Sequence, residues 1–202
     1  MMNFDTLKTN LEKKGYTVSI FATAAEATDY LDGKISGKTV GFGGSVTLDQ
    51  MGVYERLAAH NDCFWHWRVP EGRTALDMRD AGNAAAVYLS SVNGIAETGE
   101  IINIDGTCNR VAATMYGHEQ VYLVAGVNKI APDYEAALWR ARNVAAPLNA
   151  RRLARKTPCA VKGDRCYDCK SDERICRALS VFWECPGGVP VEVVLIGEAL
   201  GY

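Results

Sequence analysis

The residues best equipped for chemistry are four cysteines near the carboxyl end. Cys159, Cys166, Cys169 and Cys176 follow the spacing C-x6-C-x2-C-x6-C. Four thiolates around a central C-x2-C can complete a four-coordinate site, and neutralising them takes a soft cation, either zinc or an iron–sulfur cluster. Lys162, Arg165, Lys170, Arg174 and Arg177 surround the set and would offset its negative charge. The same cations lower thiol pKa values, which keeps thiol redox chemistry open. Spacing leaves zinc and iron–sulfur level, and Cys185-Pro186 complicates the choice because a Cys-Pro step also closes ferredoxin-like runs. Cys63, inside the strand-like run Cys63 to Trp67, reads as a buried inert thiol. Cys108 and Cys185 have no assigned role.

Three glycine-bearing segments form a second class of candidates. In Gly41-Phe42-Gly43-Gly44-Ser45-Val46-Thr47-Leu48, glycines without side chains let backbone N–H groups approach an anion, and a following helix start adds partial positive charge. The spacing matches neither a P-loop nor a full dinucleotide fingerprint, so a plain tight turn reads equally well. In Asn93-Gly94-Ile95-Ala96-Glu97-Thr98-Gly99-Glu100, Glu97 at a strand end could act as nucleophile or general base, whereas the plainer reading is a hairpin with Glu97 facing water. Asp105-Gly106-Thr107-Cys108-Asn109-Arg110 joins a strand to a helix. Its Asp, Thr and Asn suit turns and caps, while Asn109 or Arg110 could face the first glycine loop. The lone histidines His60, His66 and His118 rank below these segments.

The elements that would carry these residues alternate. Phe4, Leu7 and Leu11 predict a short helix before Gly15, and Thr23-Ala24-Ala25-Glu26 is a capping box that opens a second helix, to about Gly33. Strand patterns occupy 16–21, 38–42, 63–67, 86–90, 100–104, 121–125 and 191–196. Helical patterns occupy 75–85, 110–116 and 132–144. This alternation predicts an α/β layered fold around a mainly parallel sheet with helices on both faces. A break is expected near Pro147 to Cys159, so the chain reads as a single domain over 1–202, with a cysteine-rich metal-binding insertion at about 157–186 before the last strand.

Composition bounds the function classes. The 202 residues are 48% hydrophobic and 23% charged, values of a globular chain. With 22 basic and 24 acidic residues the formal charge is −2, a poor electrostatic footprint for nucleic acid, and no partner of that kind is expected. The basic run from Arg140 to Lys156 then reads as a solvated helix face or a lip over an anionic ligand. No uncharged apolar run of membrane-spanning length occurs, and Met1-Met2-Asn3-Phe4-Asp5 lacks the layout of a secretory signal. A cytoplasmic protein without a membrane partner is expected, where seven cysteines, four of them clustered between Cys159 and Cys176, favour metal over disulfides.

Together these segments resemble the LUD domain, the lactate-utilisation family. The resemblance rests on Gly41 to Leu48, Gly94 to Ile101, Asn103 to Ala112, Gly126-Val127-Asn128-Lys129-Ile130, Arg142 to Ala150 and Thr157-Pro158-Cys159. It implies a fold similar to ribose-5-phosphate isomerase, glucosamine-6-phosphate deaminase and the CoA transferases. It also implies a ligand site among the glycine loops: Gly43, Gly44, Ser45 and Thr47 seating a small anion such as a 2-hydroxy acid, Asn109, Arg110 and Asn128 orienting it, and Glu97 as the candidate base. The family's redox setting tips the cysteine set (Cys159, Cys166, Cys169, Cys176) toward a [4Fe–4S] cluster serving an iron–sulfur or electron-transfer partner in lactate oxidation. The alternatives are a structural zinc in a CoA-transferase-like or sugar-phosphate-isomerase-like enzyme, and a non-catalytic binding or assembly subunit.

Overall fold

The structure, a computed structural model, describes residues 4–202; Met1 to Asn3, part of the segment read for a signal, lie outside the described residues. The main sheet contains β1 (Thr17–Phe21), β2 (Thr39–Phe42), β3 (Asp62–Trp65), β4 (Val87–Ser91), β7 (Gln120–Gly126) and β10 (Val191–Ile196). All are parallel, in the order β1-β10-β7-β4-β2-β3. A second sheet, in the order β8-β5-β6-β9, joins β5 (Gly94–Ala96), β6 (Ile101–Asp105), β8 (Ile130–Ala131) and β9 (Ala178–Phe182). The α/β architecture expected from the alternation of elements is the one present.

Alternation along each main-sheet strand feeds two cores. Tyr88, Val121, Leu123, Val193 and Leu195 point to one face with Leu7 and Leu11 of α1 (Asp5–Lys13). Leu89, Tyr122, Val124, Val194 and Ile196 point to the other. There they meet α2 (Ala24–Lys34), α3 (Val46–Met51) and α4 (Val53–Leu57) through Leu31, Leu48 and Leu57. Each such fully buried aliphatic side chain contributes about 1.5–3 kcal/mol relative to exposure. A sheet buried on both faces explains why its strands read as near-continuous apolar runs.

The expected helical cover on the first face is partly replaced by the second sheet. Ile95 and Ile101 pack on the main sheet, while Ala96, Ile102 and Ala131 face Ala137 of α7 (Tyr134–Arg140). Small residues permit this layering: a Cβ on Gly94 would lie 2.7 Å from the Ala137 carbonyl oxygen.

The break expected near Pro147 to Cys159 falls after Arg152, not at the proline. α7 runs through a π-helical turn, Ala141–Ala145, into α8 (Ala146–Arg152), with Pro147 in its first turn. Proline has no N–H to donate and its ring crowds the preceding carbonyls, so the helix widens by one residue instead of stopping. The chain leaves helix only after Arg152, before the short α9 (Pro158–Lys162). The cysteine segment that follows returns as β9, which pairs antiparallel with β6 from Ile101↔Phe182 to Asp105↔Ala178. Two further helices, α5 (Ala75–Asn83) and α6 (Asn109–Met115), precede β4 and β7.

Candidate anion-binding cleft

In a parallel sheet, loops at the carboxyl ends of strands meet at one edge, and a crevice opens where successive connections run in opposite directions. Here the chain goes from β2 outward to β3, then crosses back to β4 on the other side of β2 and continues toward β10. A cleft of about 590 Å³ lies at that reversal, bordered by Gly44 and Ser45 after β2, Ser91 and Asn93 around the end of β4, and Lys129 after β7.

Its electrostatics are one-sided. Arg79, Arg110, Lys129, Arg152, Arg155, Arg174 and Arg177 line it against Asp105, Asp172 and Glu173, seven cations to three acids. A crevice lined by one sign of charge focuses its field and concentrates counter-ions. The cations divide by how far the protein already engages them. Arg110 donates to Ser91 O, Asn103 Oδ1, Asn93 Oδ1 and Ile104 O, and its Nε lies 3.5 Å from Asp105 Oδ2. That geometry spends four of the five guanidinium donors on hydrogen bonds within the fold and sets the fifth beside Asp105. Arg174 is likewise tied to the carbonyls of Cys169 and Cys176. Arg79 and Arg155, by contrast, have no side-chain partner among the described residues, and Arg79 Nε is buried without a hydrogen bond. Arg152 is held rigidly: it donates to Asn149 Oδ1 and Tyr202 OH and lies over Trp67, 4.6 Å from the ring centroid. Trp67 stacks on Trp65, and Trp65 on Phe42, so an aromatic ladder rooted in the core carries that guanidinium.

Asp105 organises one wall. Its Oδ1 accepts from the N–H groups of Gly106, Thr107 and Cys108, and Oδ2 from that of Val111 in the first turn of α6. It therefore caps a helix whose preceding residue, Cys108, is left-handed at φ 68°. A Cβ on Gly106 would lie 2.6 Å from the Ile175 carbonyl oxygen, and Arg177 N–H donates to Asp105 O. The cysteine segment is thereby clamped onto this turn, and its residues 172–175 and 177 close the cleft from outside.

Burial lowers the proton affinity of two groups in the cleft. The His66 imidazole is pushed down to about 4, first by burial and then by Arg79. Lys129, only 3% exposed, is pushed down to about 7 by burial, with Arg140 and Arg110 adding to the effect.

Of the residues expected from the sequence, Gly44, Ser45, Asn109 and Arg110 border the cleft. Gly43 lies against Arg110, where a Cβ would sit 3.0 Å from its methylenes. Thr47 is fully buried, donating to Leu200 O, and Asn128 ties down the C-terminal segment through Leu200 N and Gly201 O. Glu97 does not border the cleft: it lies in the turn of the β5–β6 hairpin, where its N–H bonds Ala131 O and its carbonyl accepts from Asn10. His60 pairs with Asp32 and His118 bonds Ala85 O. His66, Arg79, Lys129 and Tyr202 were missed as site residues. The only signal for Lys129 was its place one residue beyond Asn128 in the Gly126 to Ile130 segment; the basic run read as a lip pointed to Arg152 and Arg155, and nothing pointed to Arg79.

The four cysteines are half-buried free thiols. Cys166 Sγ accepts from Asp168 N and Cys159 Sγ contacts Thr157 Oγ1, whereas Cys169 and Cys176 are linked through their carbonyls to Arg174. Among the described residues, no three His, Cys, Asp or Glu side chains form a group able to hold a metal ion. No helix among the described residues is long and apolar enough to cross a membrane.

A family model described as the LUD domain matches residues 4–196. A crystal structure of a DUF162 family protein from Deinococcus radiodurans is similar in fold, at 11% identity and TM-score 0.51, covering 98% of this chain and 100% of that one. Chaetomium thermophilum eIF2B beta aligns at 13% identity and TM-score 0.32, over 65% of this chain and 44% of that chain. No curated protein matches the sequence.

Proposed function

Since this chain belongs to the LUD domain family, we propose that its cleft binds a small anionic metabolite, a 2-hydroxy acid such as lactate or its 2-oxo counterpart, as part of lactate utilisation. The observation that carries this reading is the excess of cations in a 590 Å³ crevice at the sheet's switch point, with Arg79 and Arg155 left unpaired. Arg152, planar and locked on Trp67, suits a carboxylate because a guanidinium offers parallel donors matching its two oxygens. Asn109 and the Ser45 loop supply neutral donors at the same rim. Glu97 and the cysteine set, with the [4Fe–4S] cluster and electron partner expected from them, form no part of this reading.

Titration of the protein with L-lactate and with pyruvate by calorimetry at low salt tests it. Saturable binding in the millimolar range, weakened at least about tenfold by Arg152→Ala, is expected; no binding of either acid would remove the proposal. A second reading has its own support. Even without Lys129, six arginines against three acids leave a surplus of three cations, which exceeds what one monocarboxylate neutralises and favours a dianion such as a sugar phosphate or CoA ester. Inorganic phosphate binding more tightly than lactate would select that reading.

A further inference from the structure

Lys129 combines three features that binding an anion does not by itself require. It is 3% exposed yet borders the cleft. The charged groups facing it are Arg110 from α6 and Arg140 from α7, both cations, and among the described residues it has no ion-pair partner. Arg140 itself spends its donors on Asn128 O and Asn93 O, so it brings no carboxylate near.

The hydrogen bonds around Lys129 have a defined direction. Ser91 Oγ donates to Thr47 Oγ1 at 3.2 Å, and Thr47 Oγ1 donates to Leu200 O at 3.2 Å. A carbonyl only accepts, so the hydroxyl chain has one polarity and Ser91 Oγ must receive a proton from the amine, at 2.9 Å. The second Nζ proton goes to Val92 O at 3.1 Å. A neutral amine has two N–H bonds and a lone pair. With both N–H bonds held by these acceptors, the lone pair is the position left over. A lysine whose proton affinity is lowered by burial and neighbouring cations presents its neutral form near neutral pH and is an activated nucleophile toward carbonyls.

We propose that Lys129 captures the carbonyl carbon of a small 2-oxo acid in the cleft, forming an imine. The inference rests on the reading of the cleft as an anion site. The carbonyl must lie close to the ligand's negative charge, because the amine is itself inside the cationic cluster, and an α-keto carboxylate meets that condition. The lone pair forms the C–N bond while the carbonyl π electrons move to oxygen, which takes one amine proton. The resulting carbinolamine loses its hydroxyl with a proton from solvent as water, leaving a cationic imine. Its remaining N–H keeps one of the two acceptors, Ser91 Oγ or Val92 O.

The test is reductive trapping of the full chain with pyruvate and sodium cyanoborohydride at neutral pH, read by intact mass and peptide mapping. One reduced pyruvate unit per chain is expected, at Lys129, at least about tenfold above any other lysine. L-lactate, lacking a keto group, is expected to slow trapping by competition. Mapping reports on the wild-type protein, so the result stands even where Lys129→Met folds poorly; in a folded Lys129→Met protein the adduct is expected to vanish. Saturable pyruvate binding with no adduct, or adducts spread over surface lysines, overturns the imine and leaves the anion cleft standing. Failure of both pyruvate and lactate to bind overturns the reading of the cleft itself.

Discussion

Replacing Lys129 by methionine should reverse its stability ranking with the parent protein as pH rises. In the unfolded chain the lysine keeps its proton to about pH 10.5, whereas in the fold it loses it near 7. Between those values the unfolded state binds one more proton, so the parent gains stability as pH rises. At about 1.4 kcal/mol per pH unit, the fall from 10.5 to about 7 corresponds to about 5 kcal/mol of destabilisation, fully present below pH 7 and relieved toward pH 10.5. Methionine has a similar shape and no charge, but it abandons the hydrogen bonds to Ser91 Oγ and Val92 O. Leaving those acceptors buried costs about 2–3 kcal/mol together. At pH 6 the variant should therefore be more stable by about 2 kcal/mol, and by pH 9 the difference should have moved against it by about 3 kcal/mol. Urea denaturation of both proteins, followed by circular dichroism at pH 6, 7.5 and 9, measures the difference and cancels the titration of all other groups. Two stability curves that stay parallel across this range would refute a neutral, buried Lys129.

Gly94→Ala should cost more than about 2 kcal/mol, because its Cβ would meet the Ala137 carbonyl at 2.7 Å, whereas Gly33→Ala, with nothing within 4 Å, should stabilise α2 by about 0.5–1 kcal/mol; chemical denaturation compares the two. Arg110→Lys keeps the charge but not the five-donor fork, and a loss of about 2–3 kcal/mol is expected; an unchanged midpoint would show that the guanidinium network contributes little. The imidazole of His66 should titrate well below 6.5, near 4, in an NMR pH series. Stability linked to this group is present above 6.5 and lost as pH falls toward 4, since the unfolded histidine takes up a proton first.

Local patterns carried most of the architecture. The Thr23 capping box forms as its spacing required, Thr23 Oγ1 accepting from Glu26 N while Glu26 reaches back to Thr23 N, and β10 spans the Val191–Ile196 run. These depend on contacts a few residues apart, so spacing determines them. The second sheet was not visible because β5 and β8 are only 3 and 2 residues long, too short for any period to register; they exist because α7 and the main sheet press on them from both sides. Where the break fell within the expected stretch was also beyond local pattern: a proline's preference is to end a helix, yet the helix passes Pro147 through a π turn and ends after Arg152.

The site divides along the same line. Residue types and spacing determined that the glycine loop after β2 and the turn before Arg110 lie at strand ends, where a parallel sheet collects its ligands. Only the tertiary structure decided which side chains are available there. It spent Arg110 on Ser91, Asn93, Asn103 and Ile104, carried Glu97 away in a hairpin, and lodged Lys129 between two arginines with no acid in reach. Charge state and availability depend on burial and on neighbours remote in sequence, such as Ser91, 38 residues from Lys129. Those are properties of the folded chain, and no local spacing encodes them.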